Sequence, residues 1–183
     1  MCLLKSFFCC DNIIVGDNVK IETLVVGSLQ ENCYIGTIGN YSFIVDPGDE
    51  ADRIIEACRN KNIKEILVTH HHFDHVGALD KLKEYFHLNE NEKSNYFDYE
   101  VIKTPGHTSD SISFYFEKEK VLFSGDFIFY GTIGRMDLPT GSEIAMQDSL
   151  ELISKYPKET VVYPGHGSKT ILGNEVKRFK FYF

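Results

Sequence analysis

The residues most able to do chemistry stand in four places: the run Thr69-His70-His71-His72-Phe73-Asp74-His75, then His107, Asp126 and His166. Seven of these side chains, His70, His72, Asp74, His75, His107, Asp126 and His166, are imidazoles or carboxylates, with no thiolate among them. That donor set suits zinc, iron or manganese with a position left open for water, rather than a closed structural zinc site. In an extended segment, alternation puts His70 and His72 on one side, and a turn into a helix lets Asp74 and His75 point elsewhere, so one short stretch can serve two metals. His71 has the wrong parity to join His70 and His72, and is read as a supporting or surface residue. Glycine precedes each of His107, Asp126 and His166, which permits tight turns and close backbone approach.

These residues need a scaffold that ends its strands in one place. Ile21 to Val26, Cys33 to Ile38 and Tyr41 to Val45 are β-branched and aromatic runs, the last two joined by the turn pair Gly39-Asn40. Ala51, Ile54, Ile55 and Cys58 recur at helical spacing, and Glu65 to Val68 is a short buried strand that runs into the histidine cluster. Ala78, Leu79, Leu82, Tyr85 and Phe86 mark a second helix, and Asn89 to Asn95 a polar loop. Tyr99 to Thr104, Ser111 to Phe116, Val121 to Ser124 and Thr160 to Tyr163 are strands, and Ser142 to Tyr156 is a helix with Met146, Leu150 and Ile153 inward. Each candidate ligand follows a strand. The layer arrangement expected is two packed sheets with helices outside.

The chain of 183 residues supports one core, with 43% hydrophobic residues and no low-complexity tract. A net charge of -8 provides no basic face for nucleic acid, and Lys177-Arg178-Phe179-Lys180 is expected to be a solvated helix face. Cys2, Cys9, Cys10, Cys33 and Cys58 form no C-x-x-C pair or even framework, which favours a reduced, cytoplasmic protein. Residues 1–19 are read as a loose N-terminal extension to a single domain over 20–183. No membrane association is expected, anchoring through acylated cysteines being a minor alternative.

Taken in order, Gln30-Glu31-Asn32-Cys33-Tyr34, Val45-Asp46-Pro47-Gly48, the Thr69 to His75 cluster, Thr104-Pro105-Gly106-His107-Thr108, Phe123-Ser124-Gly125-Asp126, Gly134-Arg135-Met136-Asp137-Leu138-Pro139 and Tyr163-Pro164-Gly165-His166-Gly167 resemble the metallo-β-lactamase-fold superfamily. Within it the chain is similar to the hydroxyacylglutathione hydrolase (glyoxalase II)-like branch, in a short form without the C-terminal glutathione-binding domain. The resemblance implies an α/β protein, an αββα four-layer sandwich of two mixed β-sheets with helices outside. It implies that His70, His72 and His107 bind one metal, that Asp74, His75 and His166 bind a second, and that Asp126 bridges them. Two divalent ions are implied, zinc first, with iron or manganese as alternatives. Hydrolysis of a small-molecule thioester, S-acylglutathione or a related thiol ester, then follows from a metal-bound hydroxide with Asp74 and Asp126 as the catalytic carboxylates.

Asp46 could orient a ligand histidine or cap the following helix, two readings that stay open. Arg135 could meet a substrate carboxylate or tie its loop to Asp137, and Tyr130 and Phe127 could wall the pocket or fill the core. The segment between Val76 and Thr104 is short for this branch. Such a trim is expected to leave unpaired backbone at a sheet edge, for which a dimer is one remedy. The alternatives to the hydrolase are a mononuclear iron persulfide dioxygenase of the same fold and a metal-binding protein made inactive by the shortening.

Overall fold

The computed structural model describes residues 13–15 and 19–183, so the extension read over 1–19 falls largely outside the described residues. The first sheet runs in the order β1 (Ile13–Val15), β2 (Val19–Val26), β3 (Glu31–Ile38), β4 (Tyr41–Val45) and β5 (Ile63–Leu67), with α1 (Ala51–Ala57) crossing between the parallel pair β4 and β5. After α2 (Phe73–Val76) and α3 (Leu79–Phe86) the chain enters a second sheet. Its strands are β6 (Glu100–Lys103), β7 (Ile112–Phe116), β8 (Val121–Gly125), β11 (Val161–Pro164) and β12 (Thr170–Ile171), in the order β12-β11-β8-β7-β6. The hairpin β9 (Ile128–Phe129) and β10 (Thr132–Ile133) and then α4 (Glu143–Ile153) separate β8 from its parallel neighbour β11, and α5 (Leu172–Phe179) closes the chain. Both sheets mix parallel and antiparallel pairs, and the αββα sandwich is the one anticipated.

Period-two alternation builds the layers. Tyr34, Phe43, Val45, Phe114, Phe116 and Phe123 point between the sheets, while Cys33, Ile35 and Ile44 face Ile54, Cys58 and Leu82 of the helices outside the first sheet. Tyr115 and Leu122 face Met146, Leu150, Ile153 and Leu172 outside the second. Because each central strand is covered on both faces, its sequence reads as nearly continuous apolar residue types. Between the sheets Phe43 stacks on Phe116 at 4.9 Å and meets Phe123 edge-on at 5.7 Å. Gly36 stands opposite Phe43 in β3, and a Cβ there would lie 2.1 Å from the ring. Only glycine leaves that ring its place.

The anticipated helices form, with local differences. Ser142 caps α4 by accepting the Ala145 N–H at 3.2 Å, and Met146, Leu150 and Ile153 are buried as expected. Tyr85, grouped with the apolar face of α3, is instead 58% exposed. Lys177 and Arg178 lie in the last turn of α5, an exposed helix face where cations complement the helix dipole. The hairpin β9–β10 and the short β12 were not read from the sequence: two-residue strands have too few positions to show a period. No helix among the described residues is long and apolar enough to cross a membrane.

The short segment after α3 corrects one expectation. Rather than leaving the free side of β5 bare, it folds back along it: Glu90 bridges Ile66, and the Asn91 N–H donates to Ile66 O at 2.8 Å. The Asn91 side chain then accepts the Val68 N–H at 2.8 Å and donates to Val68 O at 3.0 Å. One amide group thus does the work of a further strand residue. Glu65, buried in β5, accepts from the Ser94 N–H and hydroxyl and, at 2.7 Å, from the Tyr99 hydroxyl. Phe97 and Tyr99 drop into the inter-sheet core, so the short segment still delivers β6 and, beyond it, His107 to the same end of the sandwich.

Candidate metal centre

All seven candidate ligand residues meet at one end of the two sheets. His70 and His72 follow β5, with Asp74 and His75 on α2; His107 follows β6, Asp126 follows β8 and His166 follows β11. The parallel pairing of β8 with β11, continued by Gly165 N–H donating to Gly125 O at 2.9 Å, brings Asp126 and His166 to the same edge. The first sheet reaches across to hold that turn. Asn32 donates through its backbone to Gly165 O at 2.7 Å and through its side chain to Pro164 O and Gly167 O, and the Tyr34 hydroxyl donates to Pro164 O at 2.6 Å. This is the physical role of the Gln30 to Tyr34 motif.

The ring nitrogens fall into two groups. His70 Nε2 and His107 Nε2 lie 3.1 and 2.9 Å from His72 Nδ1. Asp74 Oδ2 lies 3.3 Å from His166 Nε2 and 3.9 Å from His75 Nε2. Asp126 stands between them, with Oδ1 3.3 Å from His75 Nε2 and Oδ2 3.5 Å from His107 Nε2. His75 Nε2 and Asp126 Oδ1 are buried without any hydrogen-bond partner, an arrangement costly for a fold to keep unless a cation satisfies it.

The opposite ring nitrogens fix the tautomers. His107 Nδ1 donates to Arg135 O at 2.8 Å, and His75 Nδ1 to Asp46 Oδ2 at 3.0 Å. Thr69 donates its hydroxyl to Asp46 Oδ2 at 2.7 Å, which leaves its oxygen to accept from His70 Nδ1 at 3.1 Å. In its neutral form each of these three rings therefore presents an Nε2 lone pair inward. The His70 and His107 lone pairs both converge on His72 Nδ1, which can donate at most one hydrogen to them, and a divalent cation can satisfy all three nitrogens. The residues fit such an ion.

Asp46 settles its two open roles by geometry: it holds His75 and Thr69, while the N-cap position of α1 belongs to Glu50. Its backbone is left-handed, with φ 47°, a conformation that Asp tolerates better than most residues. Gly165 supplies space: a Cβ there would lie 2.3 Å from Asp126 Oδ1 and 2.6 Å from His75 Cε1. Gly125, with φ +52°, brings its backbone against Thr69, where a Cβ would sit 2.2 Å from Oγ1.

Electrostatics divide the cluster. Burial, reinforced by the charges of His75 and His107, holds His70 down to about 2, and burial and His107 lower His72, so both rings are neutral, the form that can bind a metal ion. Burial opposes the charged form of His75, but Asp126 and Asp46 outweigh it and raise its pKa well above the ordinary range. Burial likewise opposes ionisation of Asp126, and the close approach and charge of His75 reverse this, bringing it to about 2.

Other expected residues stand aside. His71 is exposed and paired with Asp110 at 2.9 Å. The Arg135 guanidinium is clamped by both oxygens of Asp137 at 2.7 Å, and its backbone carbonyl is what touches the centre. Tyr130 is 65% exposed between β9 and β10, whereas the neighbouring Phe129 ring lies 6.3 Å from His166; Phe127 is core. One further group was not read from the sequence as part of the site. Glu31, 1% exposed, places Oε1 3.9 Å from His75 Nδ1, and neither of its oxygens has a partner. Burial, then the charge of Asp46, push it up to about 10, so it stands as the neutral acid.

The comparisons with known proteins agree with this geometry. A family model described as the metallo-beta-lactamase superfamily matches residues 26–90 and 97–166. Hydroxyacylglutathione hydrolase GloC of Haemophilus influenzae is 30% identical over 89% of this chain and 98% of its own length. Among solved structures, BLEG-1 B3 metallo-beta-lactamase superposes with a TM-score of 0.80 at 30% identity, covering 88% of this chain and 98% of that one. TTHA1623 in a di-iron-bound form superposes with a TM-score of 0.77 at 30% identity, covering 85% and 96%.

Proposed function

The chain belongs to the metallo-beta-lactamase superfamily, and on that premise we propose that it is a binuclear metal-dependent hydrolase that cleaves a thioester, S-acylglutathione or a related thiol ester. The observation that carries the binuclear reading is Asp126, whose Oδ1 faces His75 and His166 while Oδ2 faces His107. His70, His72 and His107 would hold one ion and Asp74, His75 and His166 the other. Zinc is the first expectation, and the all-nitrogen-and-oxygen donor set also accepts iron or manganese. When bound, two such ions supply an activated water at neutral pH and a Lewis acid for the substrate carbonyl.

The chain's own contribution is preorganisation. Asp46, Thr69 and Arg135 O keep the rings aimed, so no reorientation is needed during reaction. The ligand residues that reach the surface are His166 and Asp74 in the second group, with side chains 28% and 14% exposed, and the half-buried His72 in the first, while His75 is sealed. A substrate carbonyl therefore approaches over the open edge formed by His72, Asp74 and His166.

Two measurements test this reading: elemental mass spectrometry on protein purified without chelator, and thiol release from acyl thioesters. About two ions per chain with thioester turnover is the expected result. His166→Ala should abolish turnover while keeping one ion. About one iron per chain, with oxygen consumed on persulfide, would replace the hydrolase by the dioxygenase.

A further inference from the structure

Two hollows flank the metal-ligand cluster, one at each ligand group. The first, about 260 Å³, lies between the β2–β3 turn and α2, walled by Val26, Leu29 and Phe73, and it reaches Asp74. The second, about 430 Å³, is walled by Leu138, Pro139 and Thr108, and it reaches His72. Phe73 and Leu29 are 73% and 51% exposed, so the first hollow opens onto apolar surface.

Their charges have one sign. Asp49 stands with Asp74 in the first hollow, Asp110 stands in the second with one oxygen held by His71 at 2.9 Å, and no Lys or Arg lines either. The nearest cations by sequence are committed elsewhere: Arg135 to Asp137 through two 2.7 Å bonds, and Arg53 to Glu50 and Val25 O. Bound metal ions attract the reacting carbonyl of every thioester alike. A charge carried farther out on the thiol portion would instead meet Asp49 or Asp110, an interaction that is screened least at low salt.

We propose that the substrate of this site is a thioester of an uncharged or cationic thiol with an apolar acyl group, and that Asp49 and Asp110 act as specificity-determining residues against anionic thiols. This rests on the thioester reading and narrows it away from glutathione, whose conjugates carry net negative charge. The carboxylates disfavour that charge, and the walls Leu29, Phe73, Leu138 and Pro139 offer burial to hydrocarbon.

The test separates this charge preference from turnover. Three non-hydrolysable thioethers, S-butylglutathione, N-acetyl-S-butylcysteamine and S-butylthiocholine, are titrated into the metal-loaded protein by calorimetry. The neutral and cationic ligands should bind at least about tenfold more tightly than the glutathione derivative at low ionic strength. The gap should shrink in about 0.5 M salt. The double variant Asp49→Asn/Asp110→Asn should reduce it severalfold, while Asp98→Asn, at the other end of β6 from His107, should leave it unchanged. Equal or tighter binding of S-butylglutathione, or no binding of any of the three, overturns the proposal. Turnover of the matching butanoyl thioesters is read separately. If none is hydrolysed with two ions bound, the thioester reading fails, and the affinity order still decides the charge preference.

Discussion

Asp46, in a left-handed turn at the end of β4, accepts the Nδ1–H of His75 at 3.0 Å and, through the Thr69 hydroxyl, steadies His70 as well. One carboxylate thus aims a ring in each ligand group. Asp46→Asn keeps the side chain's size but removes its charge and one acceptor. Metal affinity measured by chelator competition should fall about 10- to 100-fold, with loss at both positions rather than one.

Glu31 makes stability depend on pH in the direction opposite to an ion-paired carboxylate. Its folded pKa, about 10, exceeds the ordinary 4.5, so on raising the pH the unfolded chain releases a proton that the folded chain retains. The stabilisation is complete below about 4.5 and is lost progressively as pH rises towards 10. Glu31→Gln is neutral throughout, so in metal-free protein it should be more stable than the parent by up to about 5 kcal/mol at pH 8. Urea unfolding at pH 5 and pH 8 checks this: the advantage should nearly vanish at pH 5.

Gly165 leaves the space that Asp126 Oδ1 and His75 occupy. A methyl group at that position must displace one of them. Gly165→Ala should therefore reduce metal content to below one ion per chain. The inter-sheet core lies elsewhere, so the metal-free protein should lose only about 1 kcal/mol of stability. Elemental analysis paired with thermal unfolding distinguishes the two effects.

Asn91 caps the free side of β5 with its side chain. Asn91→Ala strands the N–H and C=O of Val68, one residue before Thr69 and the ligand cluster. The expected cost is about 1–3 kcal/mol, with faster hydrogen exchange at Val68 and Thr69 than at Phe43. Unchanged protection at Val68 would show that Asn91 does not close this edge.

The ligand residues were legible because four of them crowd into the seven residues from Thr69 to His75 and the other three, His107, Asp126 and His166, each follow a glycine that a tight turn needs. The sheets were legible because Phe43, Phe114 and Phe123 alternate with Ile44, Tyr115 and Leu122, all apolar, as strands covered on two sides require. What escaped depends on partners distant in the chain. Nothing local to Asn91 announces that it will imitate a strand against Val68, and nothing local to Glu31 announces burial beneath His75. Tyr85 fits the helical period yet faces solvent, since periodicity names a face without saying how wide its neighbour is.

The ligand cluster draws from both sheets: His70, His72, Asp74 and His75 come from the first half of the chain, and His107, Asp126 and His166 from the second. Each ligand group includes residues from both halves. Neither half owns a complete site, so an ion seated in either group would act as a rivet across the sandwich. A chain nicked in the exposed stretch around Glu92, between the two halves, would have its fragments drawn together by the metal, and chelation would release them. The same feature ties inheritance to assembly: a half exchanged for one without these ligand residues would surrender both groups at once.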